Sequence, residues 1–412
     1  MHLRDRLILA PINNLNPKDF RENFEDLTII DRDFFIQKIL HDKYSPIFLN
    51  YINNHQLQDL FNKKEISHLK NQTKRFQIQS LEIVKELIYI DRLFKEKKIN
   101  PIYLKGASVM NEYSDISLRP AVDIDILFKG EEVFDAYEIL HKYNYKEPTL
   151  LCRSRDELIE YVKTRHHLPE VCRDTNIMIE LHHRVTNHND FNSCPLSDKI
   201  INHKRSVNFY GSNIYVPSIE DLIVHQLVHF SVNTKFNNLL RTFSDISQIE
   251  KNYKIDWIKI YSNNQGKKLR RALSLSLEVL NYNFSLTNRF SNLKNEYKEY
   301  FPKKEIVREA YKKTFRLEKT KIHEKSLYAL GKSTSFSDFL KIIFSKIFLN
   351  RDKIMQNYSI SKLNYFSFFY FQCLSILSRL INYIPLILSL LLRRGSIFED
   401  FKGVKKIEEW LN

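Results

Sequence analysis

The chain has 412 residues, enough to bury a full core and to hold two or three modules of about 100 to 200 residues each. Its 64 lysines and arginines against 49 aspartates and glutamates give a formal net charge of +15. Such a basic protein favours polyanionic partners, namely nucleoside triphosphates, nucleic acid or an acidic membrane surface. The length excludes a small disulfide-stapled fold, and only seven glycines argue against long flexible linkers.

Two apolar stripes at helical spacing indicate helices within residues 1–100. We interpret both stripes as core faces rather than partner sites, because amphipathic helices usually pack their apolar face inward. The stripes are formed by Phe34, Phe35, Ile36, Ile39 and Leu40 and by Phe76, Ile83, Leu87, Ile90 and Phe94.

The cysteines are scattered and form no Cys-x-x-Cys pair, so neither a zinc knuckle nor a redox motif is indicated. Reduced thiols in a cytoplasmic protein fit this pattern best. The apolar stretch near the N-terminus is shorter than the core of a signal peptide, and we therefore expect no secretion signal. The cysteines are Cys152, Cys172, Cys194 and Cys373.

Residues Ile102–Ser108 predict a short buried strand that runs into Gly106 and a helix start. The first N–H groups of a helix have no partner within it, so a phosphate can bind there. Gly106 lets the backbone approach the β- and γ-phosphates, while Lys105 or Ser108 adds a charge or a hydroxyl contact. Strand alternation can also turn Lys105 away from such a site.

Asp123 and Asp125 are the most informative residues, because strand alternation points both carboxylates to one face and Ile124 to the other. Adjacent acids favour divalent cations. Two Mg²⁺ ions about 3.5 to 4 Å apart can stabilise the attacking and leaving oxygens of an in-line displacement. A phosphate site followed by metal-binding acids predicts nucleotidyl transfer from a nucleoside triphosphate, ATP among them.

A third acid, Glu180, lies on the polar face of a later strand and can complete the metal site. It would hold the second ion and take the acceptor's proton. His182 shares this face and either orients a metal-bound carboxylate, contacts the acceptor or is a hydrogen-bonded structural histidine. Arg119 precedes the metal strand and either contacts phosphate or pairs with Asp115 or Glu112.

Together these motifs resemble the uncharacterised nucleotidyltransferases of the polymerase-beta-like superfamily. The likeness covers roughly residues 65 to 260 and includes a helical region with His225, His229, Arg241 and Asp245. It implies an α+β fold, a small mixed sheet with flanking helices between helical N-terminal and C-terminal regions. The matching motifs are Leu104-Lys-Gly106, Tyr113, Arg119-Pro120, Asp123-Ile-Asp125 and Glu180-Leu-His182.

We expect four regions along the chain. They are an N-terminal helical region at 1–100, a nucleotidyltransferase core at 101–217, a helical domain packed on the core at 218–300, and a basic, aromatic-rich helical region at 301–412. The core should end in a hairpin within Ser206–Val216, with Gly-Ser-Asn between its strands.

Ser218 is expected to cap the first helix of the helical domain. In that domain Arg241 and Asp245, four residues apart, most simply pair with each other. The pair His225 and His229 shares the same spacing, and we interpret it as packing rather than as a zinc site.

The C-terminal region contains two features that affect the choice of partners. Residues 301–325 are rich in lysine and arginine, which indicates a solvated helix face or a nucleic-acid surface. Residues 365–392 are long enough to cross a bilayer, but Gln372, Arg379, Asn382 and Pro385 interrupt the segment. We favour packed helices, with a peripheral membrane or protein contact through residues 365–394 as the alternative.

The leading prediction is an enzyme, a Mg²⁺-dependent nucleotidyltransferase that moves NMP from an NTP to an acceptor and releases pyrophosphate. The acceptor is a small molecule, a protein or RNA. The alternative is a non-catalytic nucleotide-binding or scaffold protein that acts at a membrane surface or on RNA. Three acids together favour the enzyme, because a protein that only binds does not need a complete set of metal ligands.

Overall fold

The computed structural model describes most of the chain, and the described residues divide into two compact units. The first unit lies within Met1–Phe301 and Lys313–Leu317, and the second lies within Pro302–Lys312 and Glu318–Asn412. The described residues are 2–148, 154–174, 177–186, 196–237, 239–284, 291–315, 341, 344, 347–349, 354, 364–391 and 396–411.

Helices precede the sheet, as the two apolar stripes predict. They are α1 (Leu3–Ile8), α2 (Ala10–Asn13), α3 (Pro17–Glu25), α4 (Ile29–His41), α5 (Ser45–Asn54) and α6 (Lys63–Glu96). A capping box starts α6, because the side chains of Asn62 and Glu65 each accept a hydrogen bond from the other residue's backbone N–H. The stripe of α6 is buried, with Ile83, Leu87 and Phe94 fully enclosed.

In the described part of the chain the strands form one five-stranded sheet. The strands are β1 (Ile102–Tyr103), β2 (Asp123–Leu127), β3 (Met178–His182), β4 (Arg205–Phe209) and β5 (Ser212–Val216). Their order is β3-β2-β1-β5-β4, with β2 parallel to β3 and antiparallel to β1. A mixed sheet flanked by helices confirms the predicted α+β fold class.

The apolar face of β2 and β3 forms the centre of the core. Ile124, Ile126, Ile179 and Leu181 are fully buried, and α6 packs on this part of the sheet. Burial of one Ile or Leu side chain contributes about 1.5 to 3 kcal/mol, so this face fixes the register of the two strands. Helices α7 (Lys105–Met110), α8 (Glu132–Lys142) and α9 (Arg155–Thr164) connect the strands.

The chain turns sharply from β1 into α7 at Lys105 and Gly106. Lys105 has a φ of 43°, which a residue with a side chain rarely adopts. A Cβ atom on Gly106 would lie 2.9 Å from the Cβ of Ala121, closer than two carbon atoms can pack. Gly106 therefore allows the turn to approach the segment that leads into β2.

The predicted hairpin is present, but its turn lies one residue earlier than expected. Tyr210 and Gly211 both have positive φ, 50° and 84°, which is typical of the two-residue turn that matches strand twist. Ser212 and Asn213 pair with Phe209 and Asn208 and so belong to β5 rather than to the turn.

Helix α10 (Leu196–Asn202) precedes the hairpin. The helices that follow it are α11 (Ile219–Val228), α12 (Leu239–Asn252), α13 (Trp257–Ser262), α14 (Lys267–Phe284), α15 (Ser291–Glu296) and α16 (Lys304–Thr314). Ser218 caps α11 as predicted, because its side chain accepts a hydrogen bond from the backbone N–H of Asp221. A π-helical turn at His229–Asn233 continues α11.

A buried ion pair joins α12 to the segment before β2. Arg119 donates two hydrogen bonds to the carboxylate of Asp245, at 2.6 and 2.8 Å, and the hydroxyl of Tyr113 donates a third at 2.9 Å. The predicted alternative partners of Arg119 are therefore wrong. Asp115 caps a turn at Ser117, and Glu112 pairs with Arg205. A helical residue distant in sequence, rather than a neighbour, neutralises Arg119.

Within the described residues of the second unit, the longest helices are Tyr365–Leu391 and Ser396–Leu411. Exposed aromatic side chains mark the first of them, at Tyr365, Phe366, Phe369 and Tyr370. Among the helices that the structure describes, none has both the length and the apolar character that a bilayer crossing requires. A surface contact through residues 365–394 stays a prediction, and residues 392–394 lie outside the described part of the chain.

Other sequence predictions fall partly outside the described residues. Cys152 and Cys194 lie there, whereas Cys172 and Cys373 are free thiols. Of the basic segment 301–325, residues 316–325 also lie outside.

Replacing Asp245 with alanine should destabilise the protein. Arg119 and Asp245 are both almost fully buried, and the substitution leaves a buried guanidinium without its carboxylate. Loss of one partner of such a pair costs about 3 to 5 kcal/mol. Urea denaturation followed by circular dichroism measures the change in the free energy of unfolding. The exposed Asp33→Ala variant is the control, and equal stability of the two variants would contradict the structural role of the pair.

Candidate active site

Strand register brings the acids of two strands onto one face of the sheet. Asp125 of β2 lies directly opposite Glu180 of β3, and Leu127 lies opposite His182. Residues opposite each other in adjacent strands point to the same face, as do residues two positions apart in one strand. Asp123, Asp125, Glu180 and His182 therefore share the face that is not packed on the apolar core.

The three side chains Asp125, Glu180 and His182 form one compact group. Each offers a ligand atom, and these atoms all lie within 4.8 Å of one another. The imidazole nitrogen Nε2 of His182 is 2.9 Å from Oδ1 of Asp125 and 3.2 Å from Oε2 of Glu180. His182 is thus part of the acid cluster, a closer association than the sequence could indicate.

Lys105 points into this acid cluster. Its ammonium group is 2.5 Å from Oδ1 of Asp125 and 3.6 Å from Oε2 of Glu180. Burial alone would lower the pKa of Lys105, but the carboxylates of Asp125 and Glu180 outweigh this effect and raise it. Lys105 therefore stays charged, and the unusual backbone at the turn directs it toward the acids rather than away from them.

The pKa values of Asp123 and Asp125 are shifted in opposite directions. Burial and the repulsion of Asp125 raise the pKa of Asp123 to about 6. Burial would also raise the pKa of Asp125, but Lys105 and the hydrogen bond with His182 outweigh burial and hold it well below its usual range. Of these two acids, Asp123 is therefore the one that protonates first as the pH falls.

His182 is surrounded by the two acids and by two further histidines. Burial would lower its pKa, yet hydrogen bonds with Asp125 and Glu180 outweigh burial and raise it. The ring centroids of His166 and His167 lie 5.3 and 5.4 Å from that of His182. The sequence pattern did not place these two histidines beside His182, because their position depends on an irregular segment that pairs with β3 at two isolated bridges, His167 with His182 and Val171 with Ile179.

A cleft opens beside the acid cluster, with a volume of about 110 Å³. The region between β1 and β2 lines it with Lys105, Gly106, Arg119, Ala121, Val122 and Asp123. Helical residues complete it, namely Gln226, His229, Arg241, Thr242 and Asp245. The volume is smaller than the roughly 300 Å³ of common ligand pockets, so it suits a phosphate group rather than a whole nucleotide.

The structure brings most of the predicted site residues together. Lys105, Gly106, Arg119 and Asp123 line the cleft, and Asp125 and Glu180 lie beside it in the acid cluster. Ser108 is placed differently. Its side chain is fully buried, and its hydroxyl donates a hydrogen bond to the carbonyl of Lys105 at 2.9 Å. It stabilises the first turn of α7.

Asp245, the predicted partner of Arg241, accepts hydrogen bonds from Arg119 and Tyr113 and also interacts electrostatically with Arg241. The ring of His225 in α11 contacts that of His229 in the π-helical turn, with ring centroids 6.4 Å apart. Burial lowers the pKa of His225 to about 3, so it is neutral.

The donor set fits a divalent metal ion. Carboxylate oxygens are the ligands that hard cations such as Mg²⁺ and Mn²⁺ prefer, and the hydrogen bonds of His182 with Asp125 and Glu180 hold these two carboxylates in place. Oδ2 of Asp125 is buried and accepts no hydrogen bond from the residues that the structure describes. A buried carboxylate oxygen without a donor is a ready metal ligand.

The sequence model of a family described as uncharacterised nucleotidyltransferase matches residues 30–285, more than half of the chain. No curated protein matches.

The affinity for Mn²⁺ should fall as the pH drops below about 6, because Asp123 then gains a proton and no longer offers an anionic ligand. One linked proton gives at most about a tenfold loss per pH unit. Isothermal titration at several pH values measures the dissociation constant. In Asp123→Asn the pH dependence should be weaker, and an unchanged pH profile in that variant would assign the titration to another group.

Proposed function

Because the chain belongs to the uncharacterised nucleotidyltransferase family, we propose that it transfers NMP from an NTP to an acceptor in a reaction that depends on Mg²⁺ or Mn²⁺. The register of β2 and β3 carries this proposal. It places Asp125 opposite Glu180, with Asp123 two residues earlier on the same face and a cleft with cationic side chains beside them.

The three acids Asp123, Asp125 and Glu180 have distinct roles in the proposed reaction. Asp123 and Asp125 would hold Mg²⁺, two ions in the full site, and Glu180 would contribute from the neighbouring strand. The bound metal polarises the phosphate and the acceptor hydroxyl. Asp123 lines the cleft, so its carboxylate is the one nearest the incoming phosphates.

The transfer exchanges one phosphorus–oxygen bond for another. The acceptor oxygen bonds to the α-phosphorus, and the bond from that phosphorus to the bridging oxygen of pyrophosphate breaks. The carboxylate of Glu180, which is partly exposed, takes the acceptor's proton. Pyrophosphate leaves with the electrons of the broken bond.

Cationic side chains stabilise the developing charge. Lys105 keeps its proton and lines the cleft, so its ammonium group can neutralise charge on the phosphates as well as on Asp125. Gly106 allows the backbone of the same turn to lie close to the ligand. Asp245 neutralises the charge of Arg119. The ion pair therefore acts on the phosphates as a fixed dipole in the cleft and not as an unpaired cation.

Labelled nucleotides test this function. The protein is incubated with each NTP, labelled at the α- or the γ-phosphate, together with Mg²⁺ or Mn²⁺ and a cell lysate as the acceptor source. We expect the α-label to appear in a product and the γ-label to leave in pyrophosphate. The double variant Asp123→Asn and Asp125→Asn should lose roughly two to three orders of magnitude in rate, the equivalent of several kcal/mol of metal stabilisation.

The exposed Asp156→Asn variant is the matched control and should retain activity. Transfer of the γ-label instead of the α-label would indicate a kinase. Equal transfer of the α-label by the wild type and the double variant would contradict the proposal. NTP binding without transfer of either label would favour the binding or scaffold protein.

A further inference from the structure

Four residues on the helical side of the cleft have no role in the mechanism above. We call Gln226, His229, Arg241 and Thr242 the helical wall, since the first lies in α11, the second begins the π-helical turn and the others lie in α12. A π-helical turn inside a helical segment is rare and occurs frequently at functional sites. Here it sets the position of His229 in the cleft.

Gln226 has a buried donor that lacks a partner. The residue is only 6% exposed, and its side-chain nitrogen Nε2 makes no hydrogen bond with the residues that the structure describes. Buried amide groups almost always have a hydrogen-bond partner, because desolvation without one is unfavourable. Since Gln226 lines the cleft, a ligand in the cleft is a natural acceptor for this donor.

Charge in the cleft favours an anionic ligand attached to a metal. Asp245 is neutralised by Arg119, and Lys105 is engaged by Asp125 and Glu180. The positive charge of Arg241 favours the ionised form of Asp123, the acid that lines the cleft. Arg241 is also largely withdrawn from solvent, so an oxyanion close to it is attracted more strongly than at an exposed arginine.

We propose that the helical wall binds the β- and γ-phosphates of the nucleotide through the amide of Gln226 and the guanidinium of Arg241. This inference rests on the proposed function and identifies the part of the site that holds the leaving pyrophosphate. A guanidinium and an amide nitrogen are donors that phosphate oxygens accept, and the cleft has a volume suited to phosphate groups rather than to a base. The acids bind the metal, and the helical wall orients the polyphosphate attached to it.

Binding of inorganic tripolyphosphate tests the helical wall directly. Isothermal titration in the presence of Mn²⁺ compares the wild type with Gln226→Leu and Arg241→Gln. Each variant should bind tripolyphosphate roughly tenfold more weakly, since each loses one donor to a charged acceptor. In Gln226→Leu the affinities for Mn²⁺ alone and for a nucleoside monophosphate should stay within about twofold of the wild type, because neither ligand has β- and γ-phosphates.

Gln248→Leu is the matched control. Gln248 lies in α12 but outside the cleft, where its side-chain nitrogen donates to the carbonyl of Glu112 at 3.0 Å. The control should bind tripolyphosphate as the wild type does. Circular dichroism shows whether Arg241→Gln folds, and if it does not, Gln226→Leu alone decides. Wild-type affinity for tripolyphosphate in Gln226→Leu would overturn the inference.

Kinetics separate this inference from the proposed function. If the wild type transfers label and both variants keep the wild-type KM for the NTP, the helical wall has no part in phosphate binding and only the inference fails. A higher KM for the acceptor, with an unchanged KM for the NTP, overturns it as well. Tripolyphosphate binding that depends on Gln226, in a protein that transfers no label, supports the inference while the proposed function fails.

Discussion

The contact of Lys105 with Asp125 and Glu180 is the interaction on which the site depends. Strand register places two carboxylates opposite each other in a largely buried position, where their repulsion and desolvation are both unfavourable. The ammonium group of Lys105 and the imidazole of His182 compensate for this. Asp125 can therefore stay ionised inside the protein, which is the state that a metal ion requires of a carboxylate ligand.

Two close contacts hold the parts of the site in place. Gly106 allows the turn after β1 to pack against Ala121, and this turn carries Lys105 to the acids. The buried pair of Arg119 and Asp245 attaches α12 to the segment that leads into β2. The first contact positions a cation beside the metal ligands. The second brings the helical wall to the same cleft, so the sheet and the helices form one site.

The sequence predicted those features that depend on local periodicity. Alternation placed Asp123 and Asp125 on one face, and capping residues marked the start of α11 at Ser218. The sequence could not predict the partner of Arg119, because Asp245 lies 126 residues further along the chain and two nearer candidates, Asp115 and Glu112, were chemically equivalent. Gln226 carried no signal, since its importance comes from burial beside a cleft that only the packed helices create.

The central claim is that the acids of β2 and β3 form a divalent metal site for nucleotidyl transfer. A crystal structure with Mn²⁺ and a non-hydrolysable NTP analogue, with anomalous scattering collected at the manganese edge, tests this claim most directly. We expect at least one anomalous peak at about 2.0 to 2.2 Å from carboxylate oxygens of both Asp123 and Asp125. Ordered nucleotide in the cleft without an anomalous peak at these carboxylates would contradict it.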